Sequence, residues 1–284
     1  MTSKEADYLT LDQLDDTEQG LFIKGTQQLY TGEARYYRED GSLKQQAQVV
    51  DGKLHGSFVS YNADGNVAYK VDYKHGKQDG VLRVYTDDGR LNKEVPYKDG
   101  KLNGTEEIFG FEDGLLSESI DYLDGEKHGV HIKYWAPKVK SYEIHFEHGK
   151  ENGLWTRYTG DNNMPLMQGM MVDGAEEGKW THYFDGTDIV KGIAHFKAGV
   201  LHGDYVQYYQ DGVIEESGHY DNGKRVGLWQ DFYDNGAIEW ERHFNNDELD
   251  GLSTTYYRDG RLESQELYRN GERLTTNAET TAND

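Results

Sequence analysis

Apolar and polar residues alternate in short runs along this chain, and turns containing glycine cut the runs at regular intervals. In Gly56–Lys77, GSFVSYNADGNVAYKVDYKHGK, Phe58 and Tyr61 lie in an extended run that stops at Asp64-Gly65. Val67, Tyr69, Val71 and Tyr73 then occupy every second position, interleaved with Ala68, Lys70 and Asp72. Period-two alternation predicts a strand with one buried face. Asp-Gly between two such runs predicts a tight hairpin, with a type I′ turn holding both central residues at positive φ. A second turn at His75-Gly76 closes the unit, which therefore reads as a β-hairpin.

The unit recurs every 24 or 25 residues from Gly32, at Gly56, Gly80, Gly104, Gly129, Gly153, Gly178, Gly203, Gly227 and Gly251. Five residues after each stands an aromatic: Tyr37, Tyr61, Tyr85, Phe109, Tyr134, Tyr158, Tyr183, Tyr208, Phe232 and Tyr256. These aromatics are the expected core ladder. A fixed period of this size marks a solenoid or array, in which each unit buries its apolar side only against its neighbours. The fold class predicted is all-β: an elongated antiparallel hairpin meander of about ten units, spanning on the order of 100 Å before twist and coiling. Residues 1–31 read as an N-terminal leader and cap, with Gly20-Leu21-Phe22-Ile23 as the first strand proper. Residues 32–274 read as the repeat array, and 275–284 as a polar, non-periodic tail with the composition of a disordered terminus.

Composition fits a thin sheet better than a thick core. Hydrophobic residues make up 35% of 284, and the mean hydropathy is -0.91. Tyrosine, at 22 residues, suits such a sheet because its ring packs while its hydroxyl stays wet. Only three prolines interrupt the chain, as sheet interiors require.

The spacing resembles the bacterial branch of the MORN repeat, and in particular the YwqK family antitoxins. The resemblance rests on the opening glycine, the aromatic five residues on, the Asp/Asn-Gly turn and the close Gly-Lys-x-x-Gly. That close is seen at Gly52-Lys53-Leu54-His55-Gly56, Gly76-Lys77-Gln78-Asp79-Gly80, Gly100-Lys101-Leu102-Asn103-Gly104 and Gly223-Lys224-Arg225-Val226-Gly227. The entry Gly20–Gly25 followed by Tyr30-Thr31-Gly32 matches as well, so the resemblance covers roughly residues 20–274. It implies a MORN-like fold and an antitoxin or immunity protein that neutralises a toxin or effector by direct binding. The middle departs from the pattern. Ala136-Pro137-Lys138-Val139 and Asp161–Pro165 replace the expected mid-repeat turns, and the ninth unit closes with Asn246-Asp247 in place of a turn containing glycine.

No motif for catalysis is present. The chain has no cysteine, which removes disulfides and thiolate chemistry. There is no nucleophile elbow, no His-Glu-x-x-His pair, no phosphate-cradling loop and no EF-hand loop. The expectation is no enzyme, no cofactor and no metal. Eleven histidines recur near unit boundaries, including His55, His75, His128, His148 and His202. Equivalents on successive units fall about 10 Å apart, too far for shared coordination, so these read as turn and edge residues. Asn103-Gly104-Thr105 is a glycosylation sequon on a unit junction and reads as turn sequence.

Charge narrows the partner. With 52 acidic against 30 basic residues, the net charge of -22 repels nucleic acid and anionic membranes and steers a basic protein toward the chain. The same charge also serves to keep a long sheet soluble and its edges unpaired. The irregular middle supplies candidate contacts: Trp135, Trp155, Met164, Met167, Met170, Trp180 and Trp229. Met and Trp are enriched where proteins grip one another, and also serve to repack a sheet at abnormal turns. The functional expectation is a monomeric, non-enzymatic repeat protein that binds a toxin or effector encoded nearby. The competing expectation is a scaffold of an envelope or assembly with no toxin partner. Residues 1–20 hold no apolar segment of the signal type, which makes the cytoplasm the default compartment, with a trimmed periplasmic lipoprotein as the alternative.

Overall fold

In the computed structural model, which describes residues 8–110, 113–160 and 162–274, nearly every element is a short strand paired with the next one in the chain. Asp161 and the tail Thr275–Asp284 lie outside the described residues, as do residues 1–7 of the leader. The chain forms two compact units, one of residues 1–138 with 146–149 and one of 139–145 with 150–284. In the first unit, Gly32–Tyr37 pairs with Leu43–Val50, which pairs with Lys53–Tyr61 and so on to Glu126–Ala136. In the second, the antiparallel succession runs from Lys150–Tyr158 to Leu262–Arg269.

The mid-repeat turn does not take the type I′ conformation expected of it. At the mid-repeat turn only the glycine is left-handed, as at Gly41 (φ 83°), whose N–H donates to the Arg38 carbonyl at 2.9 Å. The preceding Asp40 stays right-handed because its Oδ1 accepts from the Ser42 N–H at 2.9 Å, and Asp211, Asn235 and Asp259 repeat that bond. The result is a type I turn followed by a left-handed glycine. The type I′ geometry sits instead at the closing turn, where Asp51 (φ 49°) and Gly52 (φ 74°) are both left-handed. Its function there is visible in the hydrogen bonds. Gly76 N–H donates to the Leu54 carbonyl and Gly100 N–H to that of Gln78, each at 2.8 Å, tying every closing turn to the preceding repeat. Asn246-Asp247 does the same without glycine: Asp247 takes φ 72° and its N–H reaches the Arg225 carbonyl at 3.0 Å. The Asp247 carboxylate also accepts from the Arg225 main-chain N–H at 3.0 Å, which offsets part of the cost of the left-handed backbone.

Several opening glycines are required by two coincident demands. Gly80 has φ 137°, and a Cβ there would stand 3.2 Å from the Asp72 Cβ on the facing strand. Gly129, Gly153, Gly203 and Gly251 meet Asp121, His145, His195 and His243 in the same way. Gly80→Val is therefore expected to destabilise the first unit by about 2–3 kcal/mol, summing backbone strain and overpacking. An unchanged denaturation midpoint would refute this reason for the glycine.

The N-terminus is arranged differently from the expectation. Gly20–Ile23 pairs with Leu14–Thr17 in a separate two-stranded sheet, and the edge of the main sheet is taken by Tyr8–Thr10, parallel to Glu33–Arg35. This small sheet folds over the first hairpins because Leu14 and Tyr30 bury against Ala34 and Val49, with Leu9, Leu21, Ile23 and Leu54 around them.

The main column of the sheet stands two residues after the opening glycine, not five, with Ala34, Glu106, His131, Trp180 and Trp229 fully buried. Across strands the column runs Ala34–Ala47–Phe58–Val71, Leu82–Val95 and Glu106–Ile120–His131 in the first unit. In the second it runs Trp155–Gly169, Trp180–Ala194, Tyr205–Gly218 and Trp229–Arg242. Large and small residues alternate across the strands. A Cβ on Gly169 would fall 2.1 Å from the Trp180 ring, and one on Gly218 would fall 2.1 Å from the Trp229 ring. The aromatics five residues on follow a bulge and lie half-buried beside the mid-repeat turns. Several keep a hydroxyl contact with a polar neighbour, as Tyr158 does with Glu143 at 3.3 Å and Tyr183 with Gln168 at 2.8 Å. They are a second, polar-rimmed ladder and not the main core.

Candidate partner-binding faces

Strand alternation gives the second unit two faces with different chemistry. The aromatic face carries the column of Trp155, Trp180, Tyr205 and Trp229, of which Trp180 and Trp229 are buried, with Phe196, Tyr220 and Phe244 against it. Trp155 lies 5.6 Å from Trp180, Tyr205 lies 5.8 Å from Trp229, and Tyr220 lies 4.9 Å from Trp229. Guanidinium groups extend the stack, Arg225 over Phe244 at 4.1 Å and Arg242 over Trp240 at 3.9 Å. The reverse face carries Leu154 directly opposite Met170, with Val172 two residues further along; all three are about half exposed.

The seven residues singled out by sequence are thereby separated. Trp180 (4% exposed) and Trp229 (1%) are core and present no surface to a partner. Trp155 and Met167 are half-buried on the aromatic face, Met167 between Arg157 and His182. Met164 closes the irregular sixth turn, where the Thr159 N–H donates to its carbonyl at 2.9 Å. Met170 is exposed on the reverse face, and Trp135, 63% exposed, ends the strand Glu126–Ala136 in the first unit. The clustering of four methionines in the sequence thus spreads over two faces and a turn, because neighbours in a strand point to opposite sides.

A feature that composition alone did not place lies on the aromatic face. The register sets Gln207 opposite Glu216, Glu216 opposite Asp231, and Asp231 opposite Trp240. Around these pairs is a cavity of about 210 Å³ lined by Glu215, Glu216, Asp231 and Glu239, with Tyr209 and Phe232 as aromatic walls. The Asp231 Oδ1 is wholly buried and has no hydrogen-bond partner among the described residues. Burial pushes the Asp231 carboxyl up to about 7, helped by Glu216, Glu239 and Glu215 and opposed by Arg242. Burial likewise raises Glu216. Tyr205 is pushed up to about 12, by burial first and then by Glu216. The signal in the sequence was the register itself: pairing Gly203 with Tyr220 obliges Gln207 and Glu216 to meet.

Two histidine pairs stand closer than the spacing of equivalent residues suggests. The rings of His55 and His75 are 5.0 Å apart and those of His128 and His148 are 5.4 Å apart, because the member before one opening glycine meets the member in the next closing turn. Elsewhere the rings hold main chain: His145 and His195 donate from Nδ1 to the carbonyls of Leu154 and Asp204, each at 2.8 Å. Among the described residues no group of three or more His, Asp or Glu side chains is placed to hold a metal ion. No helix among them is long and apolar enough to cross a membrane.

The glycine–aromatic period, the hairpin unit and the turn-to-turn hydrogen bonds agree with one known repeat. Residues 30–51, 54–75, 78–99, 201–222 and 249–270 match the family described as MORN repeat variant. The chain thus carries MORN-type repeats. The five matched stretches include the most regular repeats, and the unmatched middle contains both abnormal mid-repeat turns. No curated protein matches the chain.

Proposed function

We propose that this protein is a non-catalytic binding protein whose second unit holds a basic protein partner on its aromatic face, in the manner of an antitoxin or immunity protein. The observation that carries the reading is an aromatic sheet face on which the described residues place no second layer. Among the described residues of the second unit the strands contact mainly their neighbours in the sheet, and the rings of the column pack on one another, with Arg225 over Phe244. Such a surface, on a chain of net charge -22, favours a partner that brings positive charge and apolar anchors. Repeat geometry supplies a broad preformed surface, so binding costs little ordering.

Co-expression with the genes on either side tests the reading, with growth and copurification as readouts. A toxic neighbour neutralised in a stable complex is the expected result, and harmless neighbours with no complex favour the scaffold. Within such a complex, Trp240→Ala on the aromatic face should weaken binding at least tenfold, and Met170→Glu on the reverse face should leave it unchanged. The opposite pattern would move the interface to the Leu154–Met170–Val172 row. Trp155→Ala is a poorer probe, because its ring also supports buried Trp180.

A further inference from the structure

We propose that the cavity between Glu216 and Asp231 is an arginine-acceptor site, taking one guanidinium group of a basic partner that docks on the aromatic face of the second unit. The inference rests on the reading that this face binds a protein, and it names the side chain that enters.

The chemistry of the lining selects the occupant. Glu215, Glu216, Asp231 and Glu239 provide acceptors from neighbouring strands, while Tyr209 and Phe232 supply aromatic walls. A planar guanidinium offers paired N–H donors to carboxylates and a flat face to rings; an ammonium offers a strongly hydrated point charge. The walls are held in place: the Tyr209 hydroxyl donates to the Phe232 carbonyl at 2.8 Å, and the Gln207 Nε2 donates to Glu215 at 2.9 Å.

The cavity also carries an unmet demand. The Asp231 Oδ1 is wholly buried and unbonded. The basic side chain that acts most on Asp231 is Arg242, and that guanidinium is stacked on Trp240. Glu215 and Glu216 face Asp231 from one neighbouring strand, and Glu239 and Arg242 from the other. With three carboxylates against one arginine, Asp231 retains a proton well above the ordinary range. An incoming guanidinium would bring positive charge beside Asp231 and displace that proton, so binding at this site is coupled to proton release.

The test uses the full chain with a capped tetra-arginine peptide, measured by calorimetry at fixed ionic strength. The citrulline and tetralysine analogues serve as comparisons. Asp231→Asn combined with Glu216→Gln should weaken the arginine peptide at least tenfold while the protein melts no lower than the parent. A charge-matched control, Glu176→Gln with Glu177→Gln, should change affinity less than twofold, which separates the cavity from the general acidic field. Tetralysine should bind at least fivefold more weakly, and affinity for tetra-arginine should rise between pH 6 and pH 8 in the parent but not in Asp231→Asn. Equal losses in the cavity and control variants, or equal binding of the two peptides, would overturn the proposal. A basic partner protein bound undiminished by the cavity variant would overturn it too, leaving the protein-binding reading standing. Capture of the arginine peptide by the cavity in a chain that binds no protein would support the site and remove that reading.

Discussion

Gly218→Val is expected to be the most damaging single substitution in the second unit, costing about 3–5 kcal/mol. Gly218 is not in the left-handed region, so backbone strain does not contribute and packing carries the whole effect. Its missing Cβ is the space occupied by the Trp229 ring, 2.1 Å from where that atom would be. A valine must expel the ring, which is 1% exposed and packs against Tyr205, Tyr220 and Phe244. Because repeats are stabilised by their neighbours, the loss should appear first as faster hydrogen exchange in Ile214–Asp221 and Lys224–Phe232. A double-mutant cycle with Trp229→Val provides the decisive check. If the ring is the cause, the two substitutions should couple by about 2 kcal/mol, the pair costing less than the sum. Strict additivity would show that Gly218 matters for another reason.

Asp231→Asn is expected to stabilise the protein at pH 8 and to have little effect near pH 4. The folded state raises this carboxyl from 3.8 to about 7, so folding takes up a proton between those values. Stability therefore falls as pH rises through that window, with the penalty absent below it and complete above it. In a fully dry site the raised proton affinity would amount to about 4 kcal/mol. Asp231 is half-buried, and screening by solvent reduces the expected gain on neutralisation to about 1–2 kcal/mol. Chemical denaturation of parent and variant at pH 4, 6 and 8 measures it. A stabilisation that does not grow with pH would mean that burial, and the carboxylates at 215, 216 and 239 after it, do not raise Asp231 as the geometry requires.

Much of the architecture was legible before any coordinates. The run Val67, Tyr69, Val71, Tyr73 is the inner alternation of a strand, and the structure contains that strand as Val67–Lys74. The closing turns at Asp51-Gly52 and His75-Gly76 were also legible, because most closing turns carry a glycine in the second of two left-handed positions. The type assigned to the mid-repeat turn was not, since Asp-Gly serves both geometries. The choice between them is made by the Asp40 side chain capturing the Ser42 N–H. The column of burial was misplaced by three residues for a related reason. A bulge before Tyr61 puts the most regular aromatic in the sequence at the rim, while the varied position held by Phe58, Glu106, His131 and Trp229 forms the interior.

The chain's own pattern determined the repeat, the hairpin and the antiparallel order, because all three follow from local spacing. Which residues share a face was decided only by the tertiary register. A strand's neighbours alternate sides, and a single bulge changes the alignment of everything beyond it. That is why Met164, Met167 and Met170, close in sequence, part company. It is also why Asp231 and Glu216, fifteen residues apart, close one cavity. The pairing of Trp229 with Gly218 has the same origin, for the volume a ring can occupy is set by the strand that faces it.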